Sequence, residues 1–386
     1  MFLFKLLLKN AFRHKLRTLL TMVGLIVAIS AFGLLRTIVD AWYAGVEGTS
    51  NTRLITRSAI SLGYPLPVYY ADKIKKIDGV TGVTWMNWFG GIYIDRRNFF
   101  ARMAIDSNSY FSLFPEFNIS DEEKAAFMAD RQGVILGHKT AQRFGWHVGD
   151  TIPLSGTIYP GNWTFNIRGI YTVKDARFDE TLMLMHWNLI DQSVRKRLGS
   201  NAANQVGLFM VGIKDPARAS VISQEIDGLF KNSVAETRTE TEKAFQLGVV
   251  SMSRAILMAI RAVSFVVILI IMAVMANTMT MTARERLAEY ATLKALGFSP
   301  GFVVKLLFGE SMLIAFIGGV IGIGMTFPLA QGFLMQTNNV FKVFEVSQTT
   351  MIYQAIAALF VGVIAAIWPA WKMSRIDIVQ GLRHVA

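Results

Sequence analysis

The sequence contains one glycine-rich cluster that could in principle hold a phosphate group, Gly318-Gly319-Val320-Ile321-Gly322-Ile323-Gly324. A phosphate loop needs a preceding strand and a helix whose N-terminal amides face the ligand. This cluster instead lies inside a long apolar stretch, which predicts a membrane helix. Gly318 and Gly322 then share one helix face, which indicates close packing against another helix, the alternative being lipid-facing glycines without a partner.

The residues that usually carry catalysis or bind metals show no matching pattern. The sequence contains no cysteine, and neither the nucleophile motif GxSxG nor the ATP-binding motif GxxxxGK(S/T) occurs in it. We therefore predict no catalytic residue, no metal site and no cofactor bound by this chain. The five histidines lack metal-ligand spacing: His14, His138, His147, His186 and His384.

Composition indicates a membrane protein. Hydrophobic residues make up 53% of the 386 residues and charged residues only 17%, with a mean hydropathy of +0.40, which is too apolar for an ordinary soluble chain of this length. The formal net charge of +12 could indicate nucleic-acid binding. Basic residues cluster beside the apolar stretches, however, as the positive-inside rule describes, so we predict lipid and not nucleic acid as the surroundings.

Four stretches are apolar over the roughly 20 residues that a helix needs to cross a bilayer. Basic residues such as Arg13 and Lys15 precede the first stretch, and Arg284 and Lys294 lie between the second and third. This pattern predicts cytoplasmic termini and a large domain outside the cytoplasm. A cleaved signal peptide is the alternative for the N-terminus. The stretches are residues 19–39, 262–281, 303–329 and 351–371.

The resulting division of the chain is as follows. We predict a cytoplasmic amphipathic helix (1–18), a first span (19–42), an extracytoplasmic α+β domain with two subdomains (43–240), a stalk and second span (241–281), a cytoplasmic coupling helix (282–302), a third span (303–329), a short outer loop (330–350), a fourth span (351–371) and a cytoplasmic tail (372–386).

The outer domain shows local signals for both helices and strands. A buried strand at 134–136 precedes a helix at 138–144 that Gly145 ends, and Pro160-Gly161-Asn162 joins two strands as a hairpin. Two helix–strand pairs are predicted, a helix at 66–77 with a strand at 80–85 and a strand at 206–213 with a helix at 216–230. From Glu240 the pattern predicts a helix that continues unbroken into the second span.

The segment between the second and third spans is the most distinctive cytoplasmic piece. It predicts a short charged helix that ends at a glycine. Its functional interpretation is a helix that docks in a cleft of a partner, with Leu293 and Leu296 as apolar anchors and charges that fix the register; its alternative is a solvated loop. The candidate coupling residues are Arg284, Glu285, Arg286, Glu289, Leu293, Lys294, Leu296 and Gly297.

The chain resembles the FtsX-like permeases of the MacB and LolC/LolE kind over nearly its whole length. Residues 10–24 are similar to the family's entry into its first span, and 282–297 to its coupling helix. Residues 133–152 are similar to its periplasmic core domain, and 368–383 to its C-terminal end. The coupling helix departs from the family pattern at Glu289-Tyr290-Ala291, and the C-terminal segment has Trp371 and Lys372 where paired arginines are common.

The resemblance implies a permease of an ABC transporter in a bacterial inner (plasma) membrane. It implies a homodimer and a separate ATPase subunit that binds the coupling helix. The motion of the ATPase would be relayed to the periplasmic domain. The outcome would be export with a periplasmic adaptor and an outer-membrane duct, or extraction of a lipid-anchored cargo. Two alternatives remain open: a regulatory complex that activates a cell-wall hydrolase without transport, and a membrane-anchored sensor without an ATPase.

Overall fold

The computed structural model describes residues 10–175, 178–336 and 344–375. The described chain forms two compact units. One contains the long apolar helices, and the other, Trp42–Met252, is a mixed α/β domain. The helices are α1 Lys15–Glu47, α2 Tyr70–Ile74, α3 Tyr110–Leu113, α4 Asp121–Ala129, α5 His138–Phe144, α6 Trp187–Leu198, α7 Ala219–Leu229, α8 Glu242–Met252, α9 Arg254–Glu285, α10 Leu287–Ala295, α11 Pro300–Gln336 and α12 Gln348–Ser374.

Four of these helices are long and apolar enough to cross a membrane: α1, α9, α11 and α12. Each contains one of the stretches identified in the sequence, and α11 continues through Pro328. The predicted fold class, four membrane helices with an α+β domain between the first two, is confirmed. Residues 1–9 of the predicted amphipathic helix, 337–343 of the outer loop and 376–386 of the tail lie outside the described residues.

The membrane helices pack through small residues. A Cβ atom on Gly319 would come within 2.7 Å of Ala358 Cβ, and one on Gly362 within 2.6 Å of Ala315 Cβ, so α11 and α12 approach each other closely at two glycines. Such contacts let helix backbones gain dispersion energy where no hydrophobic effect favours association.

One buried amide links three of these helices. Gln354 Nε2 on α12 donates to the Ile29 carbonyl of α1 at 2.9 Å and to Thr326 Oγ1 of α11 at 2.7 Å. The Gln354 side chain is fully buried. Interhelical hydrogen bonds of this type contribute about 0.6–2 kcal/mol each in a membrane, so Gln354 helps to fix the mutual positions of α1, α11 and α12.

The α/β domain contains one large sheet and one separate pair of strands. The strands are β1 Arg53–Ser58, β2 Leu66–Pro67, β3 Val80–Trp88, β4 Gly91–Ile92, β5 Arg102–Ile105, β6 Phe117–Asn118, β7 Gly133–Gly137, β8 Thr151–Gly156, β9 Gly161–Val173, β10 Met183–His186, β11 Gln205–Val206, β12 Leu208–Ile213 and β13 Thr237–Thr241. Among the described residues the large sheet has 11 strands, in the order β13-β1-β12-β3-β5-β10-β7-β9-β8-β4, with β6 pairing to β9, and β2 and β11 form the separate pair. The large sheet therefore runs through both predicted subdomains.

Two hydrophobic cores cover the two faces of this sheet. Leu54, Phe209 and Val211 point to one core, and Ile55, Met86 and Met210 to the other, as the alternation of side chains along a strand requires. The first core includes Ile222 and Ile226 of the amphipathic helix α7. The second is built largely from the aromatic segment around α3 and α4 and includes Phe127.

Several local predictions are confirmed. Helix α5 ends at Gly145, which adopts φ +67°, a backbone conformation that glycine adopts without steric cost. Strands β8 and β9 form the predicted antiparallel hairpin, with Gly156 opposite Gly161.

Two local predictions are wrong. Residues 66–77 form a strand followed by the five-residue helix α2, because the prolines at 65 and 67 favour extended backbone in the residues before them. The predicted unbroken helix from Glu240 begins two residues later, at Glu242, and is interrupted once. Glu240 lies in β13, opposite Ile55, and α8 and α9 are separated at Ser253, whose backbone is not helical.

Candidate coupling site

The predicted coupling segment forms the short helix α10 between the membrane helices α9 and α11. Arg286, with φ −102° and ψ 16°, separates α9 from α10. At the other end the chain leaves α10 through Gly297, at φ +89°. A side chain with a Cβ atom would be strained there, so Arg286 and Gly297 are the two points at which the chain changes direction.

A buried ion pair fixes the start of α10. Arg286 Nη1 donates to Glu310 Oε2 of α11 at 2.9 Å, and the two side chains are only 7% and 3% exposed. Arg286 Nε also donates to Glu289 Oε2 at 3.1 Å. A buried charge is tolerated when it is paired and hydrogen-bonded, and Glu310 provides that pairing for Arg286.

The N-terminal end of α1 and the residues before it hold the same segment from another side. Arg17 forms a bidentate ion pair with Glu285, in which Nη1 and Nη2 each donate to one carboxylate oxygen at 2.7 Å. Arg13 donates to Glu289. Burial acts to raise the pKa of Glu289, but hydrogen bonds from Arg13 and Arg286 outweigh it and hold that pKa below its ordinary value. Glu289 is therefore ionised at neutral pH.

The apolar side of α10 packs within the chain. Tyr290 is buried in a cluster with Val303 and Leu307 of α11 and with Met373 of α12, and Leu293 packs against the same cluster. Lys294 Nζ donates to the Ser374 carbonyl at 2.8 Å. Leu293 is thus partly used inside the chain, which differs from the expectation that it serves as a free docking anchor.

Two apolar side chains after α10 face solvent. Leu296 is 71% exposed and Phe298 is 44% exposed, on either side of Gly297; we call Leu296 and Phe298 the apolar tip. The ring of Phe298 lies 4.9 Å from that of Phe302 in the first turn of α11. Arg284 is also exposed. The apolar tip is an exposed apolar part of the predicted coupling segment that a partner can reach.

Sequence reasoning missed several residues of this site. Glu310 had a detectable signal, since an acidic residue inside an apolar span requires a partner. Arg13 and Arg17 were interpreted only through their charge and not as partners of Glu289 and Glu285. Phe298 is a large apolar residue directly after the glycine that ends the helix, a signal that was available but unused.

The glycine pair lies away from α10, inside α11. A Cβ on Gly318 would meet Leu25 Cδ2 of α1 at 2.7 Å, and one on Gly322 would meet Ile29 Cβ at 2.9 Å. The face formed by Gly318 and Gly322 thus contacts the first membrane helix of the same chain. Within the residues that the structure covers, no cluster of His, Asp and Glu is arranged to hold a metal ion.

These features define a class: a membrane permease with an α/β domain inserted between its first two spans. The profile of the MacB-like periplasmic core domain matches residues 18–229, and that of the FtsX-like permease C-terminal region matches residues 261–378. The chain belongs to this family of MacB/FtsX-type ABC transporter permeases.

Similar proteins carry corresponding names. The chain is 22% identical over 397 residues to the probable export ATP-binding/permease protein MacB of Pseudomonas entomophila, covering 96% of this chain and 57% of that protein. It is 22% identical over 405 residues to the uncharacterized ABC transporter permease MJ1507 of Methanocaldococcus jannaschii, covering 97% and 96%. The chain is also similar to the solved extracellular domain of the ABC-type transporter YknZ from Gram-positive bacteria. The match is 14% identical in sequence, covers 49% of this chain and 100% of that domain, and has a TM-score of 0.35.

The chain therefore spans less than three fifths of the length of several curated relatives that it matches, and nearly the full length of the archaeal permease.

Proposed function

We propose that the chain relays ATP-driven motion from a separate ABC ATPase subunit, which binds ATP and Mg, to its α/β domain on the far side of a bacterial inner membrane. In this proposal both termini are cytoplasmic, α10 docks on the ATPase, and two copies of the chain form a homodimer. The motion drives export of a substrate, or its extraction from the outer leaflet, with a periplasmic adaptor and an outer-membrane duct as further partners.

The observation that carries the proposal is the way α10 is held. An ion pair connects it to Arg13 just before α1, Arg286 at its start is paired with Glu310 of α11, a hydrogen bond connects it to the end of α12, and the apolar tip stays exposed. A helix held at several points moves together with the helices that hold it. A push on the apolar tip is therefore transmitted to the membrane helices instead of being lost in a flexible loop.

The buried polar groups of the membrane helices favour a role in relaying motion over a role in conducting a polar solute. Gln354, Ser311 and Thr326 are fully buried and donate hydrogen bonds to neighbouring backbone or side-chain oxygens. A path for a polar solute needs polar groups that face a water-filled space. In this chain these groups bind one helix to another.

The names of relatives support export as the outcome. The MacB protein of Pseudomonas entomophila is described as a probable export protein, and another relative, SyfD of Pseudomonas syringae pv. tomato, as a probable syringafactin export protein. We transfer only the direction of movement, outward, to this chain.

The test is co-purification of the tagged chain with its ATPase from native membranes. Leu296→Asp places a charge on the apolar tip, and we expect it to abolish retention of the ATPase and the ATP turnover of the complex. Leu293→Asp is less suitable because Leu293 packs inside the chain. Val234→Asp is the matched control, since Val234 is 92% exposed in the α/β domain. Full retention and turnover in Leu296→Asp would refute docking through the tip.

A further inference from the structure

The α/β domain contains a cavity of about 690 Å³ on the second face of its sheet. Its floor comes from four neighbouring strands, β1, β12, β3 and β5. Residues directly opposite each other across these strands line it in pairs: Ile55 with Met210, Leu208 with Met86, and Trp88 with Met103. Three methionines in one floor make a surface that adapts to ligands of varied shape, because the side chain is unbranched and polarizable.

The cavity is accessible from solvent. Helix α8 forms one wall through Phe245 and Val249, and the segment with Tyr110 and Phe114 forms another. Trp88 and Val249 are each exposed over about two fifths of their surface, although both line the cavity. Cavities of about 300–1,000 Å³ with mainly apolar walls and a few polar groups are typical of small-molecule sites.

One wall carries a buried cluster of charges. Arg53 Nη2 lies 2.6 Å from Glu116 Oε1, and Arg53 Nε lies 2.8 Å from Glu242 Oε2. All three side chains are nearly buried, and all three line the cavity. One guanidinium thus faces two carboxylates, and the cluster has an excess of negative charge.

Arg53 is the only basic residue among the described residues that line the cavity. The acidic excess is therefore not cancelled by a lysine or arginine of the described lining. An anionic head group would be repelled at this wall, and a cationic one would be attracted.

We propose that this cavity binds a cationic amphiphile, a molecule with one apolar chain or ring system and an ammonium head. The apolar part lies on the floor formed by Met86, Met103 and Met210, and the head lies beside Glu116 and Glu242. The site is complete within the α/β domain and needs neither ATP nor the apolar tip, so it stands whether or not the chain relays motion.

The absence of cysteine allows a direct test on the full-length chain in lipid nanodiscs. Met103→Cys places a single thiol on the cavity floor, and its rate of reaction with a small water-soluble maleimide is measured with and without octyltrimethylammonium. We expect labelling to slow about tenfold at about ten times the dissociation constant, because the rate follows the fraction of empty sites. Leu208→Cys repeats the measurement if Met103→Cys does not fold.

Three comparisons make the result specific. Val234→Cys lies on the domain surface and should react at the same rate with or without the probe. Octyl sulfonate has the same chain with the opposite charge, and tetramethylammonium has the head without the chain; neither should protect Met103→Cys. Equal protection by octyl sulfonate would refute the charge selection, and no protection by any probe, or no labelling at all, would refute the site.

A charge variant tests the acidic wall directly. Glu116→Gln keeps an oxygen that accepts from Arg53 but removes the excess charge. We expect octyltrimethylammonium to bind about tenfold more weakly to Met103→Cys/Glu116→Gln, through loss of one close charge interaction. Unchanged protection would show that the carboxylates do not contact the head group.

Discussion

Arg286 and Glu310 form a buried ion pair, 2.9 Å between Nη1 and Oε2, at the place where α10 meets the third membrane helix. The pair connects residues 24 positions apart, one at the start of the coupling helix and one two to three turns into α11. Because the surrounding side chains of Tyr290, Val303 and Leu307 are apolar and buried, little water screens it. The pair is a buried connection between the start of α10 and α11.

Removing one partner of this pair should destabilise the protein. Glu310→Leu leaves the Arg286 guanidinium with only the partly exposed Glu289, so we expect a loss near the lower end of about 3–5 kcal/mol in unfolding free energy. Arg286→Met/Glu310→Leu replaces both charges with apolar groups and should recover most of it. Denaturant unfolding in nanodiscs measures both. If the double variant is no more stable than Glu310→Leu, the loss does not come from an unpaired charge.

The ion pair between Arg17 and Glu285 is partly exposed, so its contribution to stability should be small, about 0.2–1 kcal/mol. Its expected effect is on relay. Arg17→Glu should lower the ATP turnover of the complex with little change in melting temperature, because α1 no longer holds the end of α9. The exchanged pair Arg17→Glu/Glu285→Arg should restore turnover. Failure of the exchange to restore it would show that the two side chains do not act as a pair.

Close contact between α1 and α11 makes Gly322 sensitive to size. Gly322→Ala adds a Cβ at 2.9 Å from the branched Ile29 side chain, which cannot move away easily, so we expect a cost of about 1–3 kcal/mol. Gly324→Ala is the matched control, since no atom lies within 4 Å of its added Cβ. Thermal unfolding in nanodiscs compares the two. Equal stability of both variants would mean that the helices are not in contact at Gly322.

His186 should make the α/β domain sensitive to acid. Burial lowers the pKa of its imidazole below the ordinary value of 6.5, against the opposing effect of a hydrogen bond to the Phe127 carbonyl. The unfolded chain therefore binds a proton more readily than the folded one. Stability should be full above about pH 6.5 and should fall as the pH drops below it, by at most about 1.4 kcal/mol per pH unit.

The measurement is the unfolding free energy of the full chain between pH 7.5 and pH 5, compared with that of His186→Gln. The variant keeps a hydrogen-bond donor but cannot titrate, so its stability should vary less with pH across this interval. Identical pH dependence in the two proteins would assign the effect to other groups.

Elements that end at a local breaker could be predicted from the sequence, and elements defined by distant partners could not. Gly145 and Gly297 each mark a helix end that appears in the structure. The sequence patterns predict no strand at residues 237–241 and a helix from Glu240, although Thr237, Thr239 and Thr241 alternate as in a strand. Their place in the sheet depends on pairing with β1, which no local pattern reveals.

The same distinction holds for the coupling site. The helix and its charges follow from the spacing of residues in one segment. Which of its residues pair or pack inside the chain cannot be predicted from that segment alone, because the pairing of Glu285 with Arg17 and the packing of Leu293 depend on how α1 and α11 come together. Exposure of Leu296 and partial burial of Leu293, three residues apart, are properties of the assembled bundle.

The first and last strands of the inserted domain meet in its sheet, where the hydroxyls of Thr56 and Thr239 lie 2.9 Å apart across 183 positions of sequence. At a synthesis rate of about 5–20 residues per second, Thr239 leaves the ribosome roughly 10–40 s after Thr56. For most of that interval β1 has no neighbour on either side, because its other partner, β12, is also synthesised late, shortly before β13. Biogenesis of this protein must therefore shield an unpaired strand outside the membrane until the second span is ready to insert.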